Sequence, residues 1–147
     1  MSDDPEELKE LTRRTARLLF GEPTDEERRR GAFALWKEFD PELARHISMF
    51  FTGRLYARTV LTQRERELCA VAALTALDRA EELKAHVGAA LNVGATREEI
   101  AEVMFQMMTY GGVPVTVDGL KILKQVLERR AAAAPPPDSG PRQESKP

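Results

Sequence analysis

His86 and Glu67 are the residues of this chain whose types and placement best suit chemistry. His86 follows Leu83 by three residues and precedes Ala90 by four, so on a helix it lies on or beside the apolar stripe. Glu82 and Arg79 occupy the same ridge, one and two turns back. Glu67 stands immediately before LCAVAALTAL, residues 68–77, an almost uncharged run, and a carboxylate beginning such a run must find a donor. Imidazole exchanges a proton near neutral pH, and a carboxylate beside it fixes the ring, so the two together suit proton transfer. Spacing alone leaves a second reading open, in which His86 only packs, and Arg79 and Glu82 only form a solvated helix edge.

Other chemistries find less support. Cys69 is the only cysteine, which removes an intrachain disulfide, a cysteine zinc cluster and a resolving thiol. Its place within the apolar run implies a buried, inert thiol. His46, in ELARHISMFF, has no comparable neighbours, and two histidines on distant helices match no trusted metal-ligand spacing, so no metal is expected. GGVP, residues 111–114, follows a helix and not a strand, which is the wrong context for a phosphate loop, and no serine sits in a nucleophile elbow. Tyr110, beside those glycines, either bonds a ligand or caps the core.

The elements that must position these residues are helices. Asp4-Pro5 and Asp40-Pro41 each read as an N-cap followed by proline at the first helical position. Thr24 with Glu27, Thr62 with Glu65 and Thr96 with Glu99 fit the capping box. Gly21, Gly94 and Gly111-Gly112 supply stops. Helices are expected near 5–20, 25–38, 41–57, 62–77, 80–93, 97–110 and 114–131, with no strand alternation. If the fourth and fifth form an antiparallel hairpin turning near Asp78 and Arg79, Val71 faces His86 and Glu67 lies one turn further, about 6 Å along the axis, within reach of the imidazole.

The fold class is therefore all-α, a single-domain helical bundle of about six to seven helices over residues 1–130. Residues 131–147, AAAAPPPDSGPRQESKP, read as a disordered proline-rich tail. The small-residue fourth helix points to burial against another subunit as well as within one. Lys and Arg number 22 against 24 Asp and Glu, interleaved along the chain, which argues against nucleic acid or an anionic membrane as partner. The longest uncharged run, residues 103–117, is interrupted by glycine and proline and is too short to span a bilayer, and MSDDPEELKE has no secretory character. A cytoplasmic protein is expected.

The runs GRLYARTVLTQRERELCAVAAL and EELKAHVGAALNVGATREEIAEVMFQMMTYGGVP together resemble the carboxymuconolactone decarboxylase family, whose all-α domain is shared with an alkylhydroperoxidase D branch. The likeness rests on Gly53, Arg58, Leu61, Arg66, Leu68, Glu82, Leu83, His86, Gly94, Thr96, Glu99, Glu102, Val103, Gln106, Tyr110, Gly112 and Pro114 at these spacings. The hydroperoxidase branch carries a CxxC ahead of the histidine on the same helix. Here those positions hold Arg79 and Glu82, so a peroxidatic or peroxiredoxin-like activity lacks both of its thiols.

The decarboxylase branch implies a lyase that needs no cofactor, because a lactone substrate supplies its own electron sink. By this resemblance His86 is the general acid with Glu67 beside it, and Arg58 and Arg66 orient substrate carboxylates, for which a guanidinium fork is suited. Tyr110 and the backbone at Gly112 would line the pocket. The family also implies a homo-oligomer, a trimer or hexamer. Glu67 stands where decarboxylase sequences tend to carry a small polar residue, and Val115 to Asp118 depart from that branch's small residues, so the pocket is expected to differ in detail. A helical oligomer that binds a small molecule without turnover is the remaining alternative, since fold does not fix function.

Overall fold

The computed structural model describes residues 4–22, 24 and 31–133. Among these residues the chain is wholly helical, with seven α-helices and one π-helical segment: α1 (Pro5–Phe20), α2 (Ala32–Phe39), α3 (Pro41–Ser48), the π segment (Met49–Leu55), α4 (Gln63–Ala76), α5 (Ala80–Asn92), α6 (Arg97–Gly111) and α7 (Val113–Ala133). No described helix is long and apolar enough to cross a membrane.

Local chemistry accounts for most boundaries. The Asp4 side chain accepts from the Glu6 N–H to open α1, and Asp40 accepts from Glu42 and Leu43 to open α3. Thr62 and Thr96 form complete capping boxes with Glu65 and Glu99. Gly21, Gly94 and Gly112 take φ of 73°, 91° and 85°, where a side chain would be strained. Gly112 alone ends α6; Gly111 stays within the helix, because a Cβ there would press on Val115 and the Ala76 backbone and glycine allows that approach.

Two expectations change. The third helix does not run as α-helix from 41 to 57; after Ser48 it widens into the π segment, with Tyr56 N–H bonding Phe51 five residues back. The last helix extends to Ala133, beyond the expected start of the tail, because alanine is the strongest helix former and residues 131–133 are all alanine. Residues 134–147 lie outside the described residues, as does the expected capping partner Glu27 of Thr24.

The core belongs to the C-terminal half. Val71, Leu83, Val87, Ala90, Ala95, Ile100, Met104, Leu123 and Val126 form one buried cluster drawn from α4 to α7 and the turn between α5 and α6. Helices α4 and α5 are antiparallel across a tight turn in which Asp78 adopts φ of 52°. Helix α6 runs parallel to α4: Arg64 at the start of α4 pairs with Glu99, and Ala76 at its end meets Gly111. Helix α1 lies across the outside, its Leu8 and Thr12 pressed on Gly53 of the π segment and its end tied to α5 by Asn92 Nδ2, which donates to the Leu19 carbonyl at 2.8 Å.

Candidate active site

On α4 the buried residues are Glu67, Val71 and Thr75, spaced by four, so one ridge faces the core. Glu67 is fully buried, and its Oε2 lies 2.8 Å from His86 Nδ1 on the facing helix α5. The His86 side chain keeps 23% of its surface exposed. A carboxylate in this place accepts from Nδ1–H and so fixes the tautomer, leaving Nε2 as the nitrogen that can meet a ligand. Among the described residues Nε2 has no protein hydrogen bond. The Phe20 ring stands edge-on to the imidazole, with centroids 6.0 Å apart and planes at 79°. Asn92 holds that end of α1 in place, and Arg130 Nη1 in turn donates to Asn92 Oδ1 at 2.9 Å.

Three buried polar atoms at the start of α4 have no hydrogen-bond partner: Gln63 Oε1, Arg66 Nε and Glu67 Oε1. Residues 63, 66 and 67 share one face, so these atoms gather on the same side of the helix. Buried polar groups are nearly always satisfied, and such a group of orphans marks a place for water or a polar ligand. Arg66 is steadied by one bond, from Nη2 to the Arg58 carbonyl at 3.1 Å. Tyr56 sits nearby, its phenol pushed above the usual range first by burial and then by the Glu67 charge, with Arg66 opposing.

Tyr56, Arg66, Leu55, Leu61, Cys69 and Ala70 line a hollow of about 290 Å³. Cys69 is exposed here, which corrects the expectation of a buried thiol. Two residues from Glu67 and two from Val71, it points away from the buried ridge; a helix apolar all round gave no sign of which face was outside.

The chain thus brings Glu67 and His86 into contact, with Arg66 on the same face as Glu67. Arg58 contributes its carbonyl to Arg66 but its side chain lines a different hollow, with Arg45, His46 and Arg54. Tyr110 is 73% exposed, and it and Gly112 lie at the far end of α4, where Gly111 meets Ala76. From Glu67 that is nine residues, roughly 13 Å along the axis. Neither is brought to the pair within this chain. Phe20 and Tyr56 were missed by sequence reasoning. Phe20 had no signal beyond its place before the stop at Gly21, and Tyr56 follows a π turn that α-helical spacing misaligns.

Residues 41–125 match the model of the carboxymuconolactone decarboxylase family. The 4-carboxymuconolactone decarboxylase of Acinetobacter baylyi is 30% identical over 91 residues, covering 62% of this chain and 68% of that protein. An uncharacterized 15.0 kDa protein from the nqo9-nqo10 intergenic region of Paracoccus denitrificans is 37% identical over 82 residues, covering 54% of this chain and 60% of that protein.

Proposed function

The chain belongs to the carboxymuconolactone decarboxylase family, and within it we propose a cofactor-free lyase in which His86 transfers a proton to a small carboxylated lactone or a related carbonyl compound. The observation that carries this reading is the 2.8 Å contact between His86 Nδ1 and the fully buried Glu67 carboxylate. The name of the Acinetobacter baylyi relative supports the reaction class.

In the decarboxylation the bond to the departing carboxylate breaks, carbon dioxide leaves, and the electron pair passes through a conjugated double bond into the lactone carbonyl. The resulting dienolate takes a proton at carbon from Nε2 of a doubly protonated His86. Glu67 accepts from Nδ1 throughout and balances the ring's charge, so that only the Nε2 proton moves. Water then restores that proton. Arg66 is the positioning group for a substrate carboxylate, on the face where Gln63 and Glu67 leave polar atoms unpaired.

The working unit is a homo-oligomer with an alkylhydroperoxidase D-like fold. Exposed Leu18, Phe39, Leu77, Phe105, Met108 and Val113 are more apolar surface than a lone small domain usually leaves open, which supports burial between copies. Incubation of the pure protein with 4-carboxymuconolactone, with carbon dioxide and enol-lactone followed together, tests the reaction. Ligand-induced stabilisation without turnover would instead favour a binding oligomer. A thiol peroxidase reading gains from the exposure of Cys69 and lacks a second cysteine in the sequence. It requires peroxide consumption that disappears in Cys69→Ser.

A further inference from the structure

The larger hollow lies outside the His86–Glu67 site. It has a volume of about 640 Å³ and is lined by Pro5 and Leu8 of α1, Arg45 and His46 of α3, Met49, Phe50, Arg54 and Leu55 of the π segment, and Arg58 beyond it. Its size is that of a small-molecule cavity. The apolar lining forms one part, and every polar side chain in the lining is basic; among the described residues that line it there is none with a carboxylate.

The change of helix type explains how these residues meet. On α3 the spacing of four sets Arg45 above Met49 and His46 above Phe50. An α-helix continued past this point would carry the stripe round to another side. The π turn, with its hydrogen bonds five residues apart, sets Arg54 below Met49 and Leu55 below Phe50 instead, and Arg58 follows Arg54 by four. The widened turns thus keep three guanidiniums and an imidazole on one side, over Met49, Phe50 and Leu55. Arg45 Nη2 donates to His46 Nε2 at 3.1 Å, which holds those two groups beside each other at the rim.

We propose that this hollow between α1 and the α3–π stripe is a second binding site, for an organic carboxylate with a compact apolar body. The body lies on Leu8, Met49, Phe50 and Leu55, and the carboxylate meets the guanidiniums of Arg45 and Arg58. Arginine forks match a carboxylate in geometry as well as charge, and Arg45 and Arg58 bring two of them to the apolar floor. An uncharged molecule of the same shape lacks that part of the attraction.

Calorimetric titration of the full-length protein with 2-naphthoate tests the site, with 2-naphthol as the uncharged control. The expected result is saturable binding of one naphthoate per chain, with naphthol bound roughly tenfold more weakly or less, the size of one charge-assisted hydrogen bond. Arg45→Gln and Phe50→Ala should each weaken naphthoate by roughly that factor, and Arg45→Lys by less. Both positions are exposed, so these variants should fold as the parent does. His86→Ala should leave naphthoate binding unchanged, which separates this site from the proposed reaction: either can fail without the other. No saturable binding, equal affinity for naphthol, an unchanged affinity in both Arg45→Gln and Phe50→Ala, or loss of binding in His86→Ala would overturn the proposal.

Discussion

The α4–α5 hairpin and the α3–π stripe both present basic side chains beside apolar ones, and they do so to opposite effect. In the hairpin a carboxylate with no solvent exposure holds one nitrogen of an imidazole, and the remaining ring surface is narrowed by Phe20. Burial there makes the hydrogen bond strong and directional, which suits the proton transfer proposed for His86. In the stripe, three arginines and a histidine line an open hollow, with no acid among the described residues of its lining. Openness there lets an anion reach the guanidiniums of Arg45 and Arg58, which serves recognition of an anion and not its transformation. A buried carboxylate–imidazole contact and an exposed group of basic side chains are thus different arrangements of polar groups on an apolar frame.

Stability divides along the same line. The buried cluster lies in the half that carries the hairpin, whereas α2 has no buried residue at all. Met104→Ala, which empties a fully buried position in that cluster, should lower the unfolding free energy by about 2–5 kcal/mol in denaturant titration. A cost well below that range would mean that the hairpin does not rest on this core.

Gly53→Ala strikes the contact between the two regions. Its Cβ would run into Thr12 Oγ1 and fall 2.9 Å from Leu8 Cδ1, so α1 must shift, at a cost of about 1–3 kcal/mol. Because α1 carries both Leu8 of the hollow and Phe20 over His86, the same variant should weaken naphthoate binding and slow turnover together. An effect on one alone would show that α1 does not couple them.

Thr62→Ala removes the cap at the start of α4 and should cost about 1 kcal/mol near neutral pH. The Thr62 N–H and hydroxyl hold the Glu65 carboxyl below its ordinary range. A depressed carboxyl contributes stability that is present above its unfolded value and is lost as pH falls through the folded one. The difference between Thr62→Ala and the parent should therefore shrink in acid melts, and a difference that grows on acidification would refute the assignment.

The smallest effect is expected at alkaline pH. Burial and the Glu67 charge raise the Tyr56 phenol, so its contribution is complete below the unfolded value near 10 and disappears as pH rises through the folded one. Tyr56→Phe should flatten that alkaline loss of stability without moving the acid limb.

Much of this architecture was legible in the residues. Asp4, Asp40, Thr62 and Thr96 opened helices where their caps required, and Gly21, Gly94 and Gly112 closed them. The pairing of Glu67 with His86 followed from a short turn between two antiparallel helices. Three things were not legible, for different physical reasons. A helix apolar on every side, like α4, has no hydrophobic face to read, so the exposure of Cys69 was hidden. A π turn changes the residue spacing from four to five, so a stripe that α-helical periodicity disperses is gathered on one side only once the backbone is seen. The family resemblance implied that Tyr110 and Gly112 line the pocket of His86, but within this chain the parallel course of α4 and α6 carries them to the other end of α4.

The most direct measurement is the rate of carbon dioxide release from 4-carboxymuconolactone by the parent protein and by His86→Ala. The expected result is turnover in the parent and a fall of about 10²–10⁴-fold in the variant, the usual worth of a positioned acid or base, with naphthoate binding intact. Equal rates in the two proteins would contradict His86 as the proton donor, and no turnover in either would contradict the reaction itself.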